Sequence, residues 1–361
     1  MTEISTLGEF GLIRRLTEHF PLRHPSSLVG VGDDCAVIDA TDGKTVVTTD
    51  LLLEGIHFDL TYCPLRHLGY KAVVVNLSDI YAMMGTPRQI TVSIGVSRRF
   101  RVEDLEELYA GIRLACDVYG VDLVGGDTSA SMTGLTLSIT AIGVATEEPV
   151  RRNGAKPNDL ICVSGDLGAA YMGLQLLERE KAIFSAQQAA ARQGGTASPE
   201  AAAEEREFKP KFEGREYLLE RQLKPEARRD IVEELRKRGI TPTAMMDVSD
   251  GLSSELLHIT GQSHVGCRVY EERLPIDYQT AVQAEEFNLN LTTVAMNGGE
   301  DYELLFTVPL AQHELVSQMS GIRIIGHITD ERLGAALITR DGASEVALKA
   351  QGWNAFTEGK K

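Results

Sequence analysis

Apolar and polar positions follow two rhythms along this chain. Residues 44–49 (KTVVTT), 90–96 (ITVSIGV) and 135–144 (LTLSITAIGV) are β-branched or alternating runs with the composition of strands. Residues 65–84 (LRHLGYKAVVVNLSDIYAMM) are long, apolar and free of proline, which predicts a buried helix. Residues 102–120 space their apolar positions helically, place acids in the first turn and close on glycine. Residues 159–180 and 243–260 each read as strand, turn, helix. Another helix is expected over 225–239, and strands over 301–309 and 322–328. The pattern predicts an α+β (mixed α/β) fold of two domains, 1–150 and 151–361, with helices over mixed sheets.

Residues 185–214 break the pattern. They are rich in Ala, Gln, Glu, Gly and Pro and nearly lack β-branched residues. They read as a flexible insertion with a helical start.

Composition narrows the function. Of 361 residues, 52 are acidic and 36 basic, a formal net charge of −16. Such a chain is poorly suited to nonspecific nucleic-acid binding or to an anionic membrane surface. No apolar run approaches the ~20 residues that span a bilayer, and the first ten residues lack a signal-peptide core. The five cysteines (35, 63, 116, 162 and 267) show no CxxC spacing. They read as small buried residues in a reducing, cytoplasmic setting.

The carboxylates are the informative feature. Asp33 and Asp34 follow the glycine-rich VGVG; Asp50 ends VVTTD after Thr48 and Thr49; Asp127 follows LVGG. Asp247 and Asp250 bracket Ser249 in MMDVSDG, and Glu300 and Asp301 follow NGG. Most stand where a strand runs into a glycine turn, the usual place for ligand sites in α/β proteins. Asp79 differs, sharing a helix face with Ala72, Val75 and Met83. An ionised Asp there needs a cap, an Arg or a metal. With several other unpartnered acids at strand ends, a metal is the better reading. Oxygen donors without Cys or His suit Mg2+, with Mn2+ as a substitute.

Many carboxylates without a nucleophile point to phosphate chemistry. The common nucleotide motifs are absent: position 38 is Ile where a P-loop ending in GKT needs Gly, and position 35 is Cys where GxGxxG needs Gly. SGDLGAA at 164–170 is either a phosphate-facing turn or a tight strand–helix connection.

The motifs VGVGDDCAV, TTDLLLEGIHF, KAVVVNLSDIYAMMG, LVGGDTS, RRNGAKPND, MDVSDGL and NGGEDYELLFTVP occur in that order. Together they resemble the thiamine-monophosphate kinase family, in the superfamily of aminoimidazole-ribotide and selenophosphate synthetases. The likeness runs from Leu7 to Trp353, leaving out 185–214. It implies a PurM-like fold and a homodimer formed through the N-terminal domain. It also implies direct γ-phosphoryl transfer from ATP to thiamine monophosphate, the last step towards thiamine diphosphate.

The resemblance also implies roles. Asp34, Thr48, Thr49, Asp50, Asp79, Asp127, Asp247 and Asp250 would be metal ligands, several Mg2+ ions being bound. Arg152 would contact the ATP phosphates, Ser249 would lie near ATP, Gly126 would let backbone approach the nucleotide, and Tyr109 would line its pocket. His57, Glu300 and Trp353 would contact the thiamine phosphate. Asp50, Asp79, Asp127 and Arg152 would carry the catalytic step.

Two rivals are weaker. Selenophosphate synthetase relatives carry a reactive Cys or selenocysteine near a Lys at the N-terminus, and residues 1–30 hold neither Cys nor Lys; EGIHF and GGEDYEL disfavour the aminoimidazole-ribotide branch. A metal-binding regulatory protein would bind metal without ATP turnover, and no EF-hand spacing supports it.

Overall fold

The computed structural model describes residues 12, 15–29, 37–39, 42–193 and 210–351. Asp33, Asp34, Cys35, Trp353 and the middle of the 185–214 segment lie outside them.

After a short pair, β1 (Ser27–Val29) and β2 (Val37–Ile38), come β3 (Lys44–Leu53), helix α1 (Leu65–Ala82) and β4 (Thr86–Val96). Helix α2 (Val102–Tyr119), β5 (Asp122–Ala130) and β6 (Leu135–Ala145) follow. Strands pair in the order β3-β6-β4-β5. β6 alternates buried and half-buried residues, as a one-sided sheet requires. Its covered face packs on α1, and α2 packs on α1 in turn. The other face leaves Val47 and Leu51 more than half exposed.

Helix α1 is apolar nearly all round, so it must be covered on several sides. Its contact with α2 is backbone-close: a Cβ on Gly69 would stand 2.0 Å from the Leu108 carbonyl oxygen, and one on Gly111 1.9 Å from that of Arg66. Helix α2 starts with Glu103 and Asp104 in its first turn and ends on Gly120 in the left-handed region.

The second sheet uses β7 (Leu160–Ser164), β8 (Ala244–Asp247), β9 (Val265–Tyr270), β10 (Leu304–Val308), β11 (Ile322–Asp330), β12 (Ala335–Ile338) and β13 (Glu345–Ala347). Its order is β13-β12-β9-β11-β7-β10-β8, and only β12–β9 is parallel. Its central strands are apolar on both faces. Leu304, Phe306 and Val308 join the core that holds α1 and α2, while Leu305 joins a second core with Leu252 and Leu256. Helices α3 (Ala169–Gln193), α4 (Glu216–Leu223), α5 (Arg229–Lys237) and α6 (Leu252–Ser263) belong to this half. The helical start expected for the insertion is the end of α3.

Two expected elements are shorter than the sequence implies. The helix over 225–239 starts at Arg229, because the preceding residues are held by the N-terminal half. Glu226 accepts from the hydroxyls of Tyr70 (2.7 Å) and Tyr119 (2.6 Å), and Ala227 N–H donates to Tyr119 Oη at 2.8 Å. The strand over 301–309 starts at Leu304, because Glu300 and Tyr302 take left-handed backbone (φ 64° and 53°).

Candidate active site

A cavity of about 1060 Å3 opens where the two sheets meet. Leu68, Lys71, Val75 and Asp79 line it from one face of α1. Asp50 and His57 come from β3 and the loop after it, Tyr171, Glu178 and Lys181 from α3, and Gln222 from α4. Asp247, Ser249, Asp250 and Glu300 enter from the ends of the second sheet.

The motif Asn76-Leu77-Ser78-Asp79 assembles the acidic end of the cavity. Asn76 Oδ1 accepts the Asp50 backbone N–H at 3.0 Å, tying α1 to β3 at that point; the strand does not end at Asp50, where the sequence pattern places its end, but runs on to Leu53. Ser78 Oγ donates to Asp247 Oδ2 at 2.6 Å, tying α1 to β8. Thr48 Oγ1 donates to Asp79 Oδ2 at 2.6 Å. Burial pushes the Asp50 carboxyl up to about 6, and the Asp79 charge adds to the effect. Asp247 is raised by burial and then by Asp79, and Asp79 by burial. The Arg152 charge offsets part of this at Asp79 and Asp250. Glu255 shapes the next turn, accepting the backbone N–H groups of Ser249 (3.1 Å) and Asp250 (2.8 Å).

These donors fit a hard divalent cation. Among the described residues no three His, Cys, Asp or Glu side chains converge enough to hold a metal by themselves. Mg2+ at a nucleotide site does not need that: it keeps several waters and takes one or two carboxylates plus phosphate oxygens. Buried acids that raise one another's affinity for protons are short of positive charge, which such an ion would supply.

At the other end, Lys71 Nζ donates to the Gln222 carbonyl at 2.8 Å and stands 3.1 Å from Glu300 Oε2. Gln222 Nε2 donates to the same Glu300 oxygen at 2.7 Å. His57 Nδ1 accepts the Leu53 N–H at 3.0 Å, and burial lowers the imidazole's affinity for a proton. The neutral ring therefore carries its proton on Nε2.

The structure thus brings together Asp50, Asp79, Asp247, Asp250, Ser249, His57 and Glu300, with Thr48 bonded to Asp79 and the charge of Arg152 acting on Asp79 and Asp250. Other expected residues stand apart. Thr49 points to the outer face of the first sheet, where its hydroxyl donates to the Ile139 carbonyl and accepts from Thr140. Asp127 is exposed on the edge strand β5, and neither it nor Gly126 lines the cavity. β5 and β3 are opposite edges of the sheet, three strand spacings or ~14 Å apart. Gly126 also has a packing reason to be glycine: a Cβ there would stand 1.9 Å from the Val92 carbonyl oxygen of the next strand. Tyr109 is buried in the N-terminal core, edge-on to Phe20. The turn 164–170 is the tight connection and not a phosphate seat, because Asp301 already accepts from Gly168 N–H (2.8 Å) and Ala170 N–H (3.4 Å) at the head of α3.

Lys71, Asn76, Ser78, Gln222 and Glu255 are contributors that the acid pattern missed. Lys71 had a signal: it stands eight residues before Asp79 on the same apolar helix face, so it needed a partner for the same reason.

Residues 32–145 match the family described as AIR synthase related protein, N-terminal domain. The chain is 34% identical to a thiamine-monophosphate kinase of Aquifex aeolicus over 85% of its own length and 87% of that protein's. It is 31% identical to a thiamine-monophosphate kinase of Bacillus subtilis over 97% of its own length and 100% of that protein's. It also resembles a solved structure of AaThiL complexed with AMPPCP and TMP, with a TM-score of 0.69 at 30% identity over 99% of both chains. The chain belongs to the thiamine-monophosphate kinase family.

Proposed function

We propose that this protein transfers the γ-phosphoryl group of ATP to thiamine monophosphate, giving ADP and thiamine diphosphate. The observation that carries the reading is the meeting of Asp50, Asp79 and Asp247 at one end of a cavity whose other end holds Lys71, Glu300 and His57. Membership of the family, and a relative solved with AMPPCP and TMP, support the choice of substrates.

A phosphate oxygen of thiamine monophosphate attacks the γ-phosphorus in line. One P–O bond forms, and the bond from the γ-phosphorus to the β,γ-bridging oxygen breaks, its electron pair leaving on ADP. The nucleophile is already anionic, so no strong general base is needed. Asp50, Asp79, Asp247 and Asp250 would hold several Mg2+ ions, with Mn2+ as a substitute. When bound, Mg2+ screens the repulsion between the two polyanions. Asn76, Ser78 and Glu255 fix the carboxylates and the Ser249 turn, so that positioning and electrostatics do the catalysis. Arg152 reaches towards the phosphates; Ser249 faces ATP. Asp34 and Trp353 keep the roles that the family motif gives them; Asp127 keeps its proposed role as a metal ligand, but at the opposite edge of the first sheet from Asp50 and outside the cavity.

A boundary near residue 150, a homodimer through the N-terminal domain and a cytoplasmic setting belong to the same reading. The four described cysteines are all free and buried.

The test is chromatographic. Purified protein is incubated with ATP, Mg2+ and thiamine monophosphate, with thiamine in parallel, and thiamine diphosphate and ADP are quantified. Equal amounts of both products, from the monophosphate only and abolished by EDTA, are expected. ADP without thiamine diphosphate would point to another acceptor. Neither product from folded protein would sink the reading.

A further inference from the structure

Lys71 is 5% exposed in the middle of an apolar helix, an expensive place for an ammonium group. Its partners explain how it is held but not why it is there. It forms an ion pair with the same Glu300 oxygen, Oε2, that accepts from Gln222 Nε2, so both groups engage one oxygen of the carboxylate. Glu300 Oε1 has no protein donor among the described residues, and Glu300 lines the cavity. The backbone is set for the same end: Glu300 takes a left-handed φ of 64°, held by its N–H to the Ser249 carbonyl at 2.7 Å. A non-glycine residue stays in that region only where its surroundings over-determine it.

Helix α1 also acts as a ruler. Lys71 and Asp79 lie eight residues apart on one face, ~12 Å along the axis. Phosphate chemistry belongs at the Asp79 end. An extended thiamine monophosphate with its phosphate there places the thiazolium next and the aminopyrimidine farthest away, towards Lys71.

We infer that Lys71 is a positioning residue for substrate selection, resting on the phosphoryl-transfer reading above. With Gln222 it pins one oxygen of Glu300, so the other is presented as an acceptor for the amino group of the substrate's distal ring. Because Lys71 offsets the charge of Glu300, the corner selects a hydrogen-bond donor more than a net positive charge. A site built around such a bond rejects an analogue lacking the donor far more strongly than a merely apolar pocket would.

The experiment compares thiamine monophosphate with its oxo analogue, in which the ring amino group is replaced by a carbonyl oxygen. Wild type, Lys71→Met and Gln222→Met are assayed for kcat and KM on both substrates and for KM on ATP. The wild type is expected to prefer the amino substrate. Each variant should raise its KM about ten-fold and shrink the preference by a similar factor, with KM for ATP changed less than about two-fold. If Lys71→Met does not fold, Gln222→Met decides by the same ratio. Equal losses on both substrates with the preference intact, or a wild type that does not discriminate, would overturn the inference while leaving the kinase reading standing. A wild type that converts neither substrate would overturn both.

Discussion

Ser78 on α1 donates to Asp247 on β8 at 2.6 Å, joining the two sheets through a carboxylate that lines the cavity. Ser78 is fully buried and Asp247 nearly so, which leaves the hydroxyl few alternative partners. The bond orients Asp247 and favours its ionised form in a setting where burial and Asp79 oppose ionisation. Ser78→Ala deletes one oxygen atom and leaves the packing almost unchanged. Partners of this kind commonly set metal affinity, so Mg2+ binding in the presence of a non-hydrolysable ATP analogue should weaken about ten-fold. Calorimetric titration measures this directly, and an unchanged Mg2+ midpoint would show that the bond serves only folding.

Asp79 separates a functional carboxylate from a structural one. Asp79→Asn keeps an acceptor for the Thr48 hydroxyl and removes a charge that opposes the ionisation of Asp50 and Asp247. Activity should fall about 100-fold or more, the scale of losing a preorganised electrostatic group. Without Mg2+ the melting temperature should stay the same or rise. A large fall in that temperature would mean that the Asp79 charge is structural.

Much of this arrangement is legible in the amino-acid sequence. Strands and helices with one rhythm and clear ends, such as 102–120, needed only local rules. The aspartates at 79, 247 and 250 are legible because an acid at a glycine turn or on an apolar face has no local partner; the pattern puts Asp50 at a strand end, whereas β3 runs past it to Leu53. What stayed hidden depends on distant contacts. Glu226 and Ala227 look like the start of a helix until the Tyr70 and Tyr119 hydroxyls take them. Nothing in the sequence shows that the Val92 carbonyl lies against Gly126. Thr48 and Thr49 are neighbours in sequence on opposite faces of one strand, and only the packing of α1 shows which face holds the acids.

The close approach of α1 and α2 sets where every α1 side chain stands, so it should govern both stability and function. A methyl group added at Gly111 would meet the Arg66 carbonyl oxygen at 1.9 Å, which backbone cannot relieve without moving the helix. Gly111→Ala should destabilise by about 1–3 kcal/mol, the range for overpacking a core. Because Lys71 and Asp79 ride on the displaced helix, kcat should fall as well, even though residue 111 does not line the cavity. Denaturant unfolding together with kinetics tests this. Loss of stability with full activity would show that the helices separate without disturbing the site.

The acidic end should also make stability depend jointly on pH and metal. The Asp50 carboxyl is raised to about 6, first by burial and then by Asp79, and Asp79 and Asp247 are raised as well. An unfolded Asp titrates near 3.9. Between those values the native state holds more protons than the unfolded chain, so this cluster's contribution to stability falls as pH rises. A divalent cation at the cluster opposes that loss, because it binds the ionised carboxylates and not the protonated ones. The melting-temperature gain from saturating Mg2+ over EDTA should therefore be small near pH 5 and grow by several degrees towards pH 8. In Asp50→Asn the gain should be smaller and its pH dependence flatter, since the group titrating near 6 is gone. Thermal unfolding at matched ionic strength across this range decides the matter. A Mg2+ gain of constant size from pH 5 to 8 in the wild type would mean that these carboxylates do not share an ion.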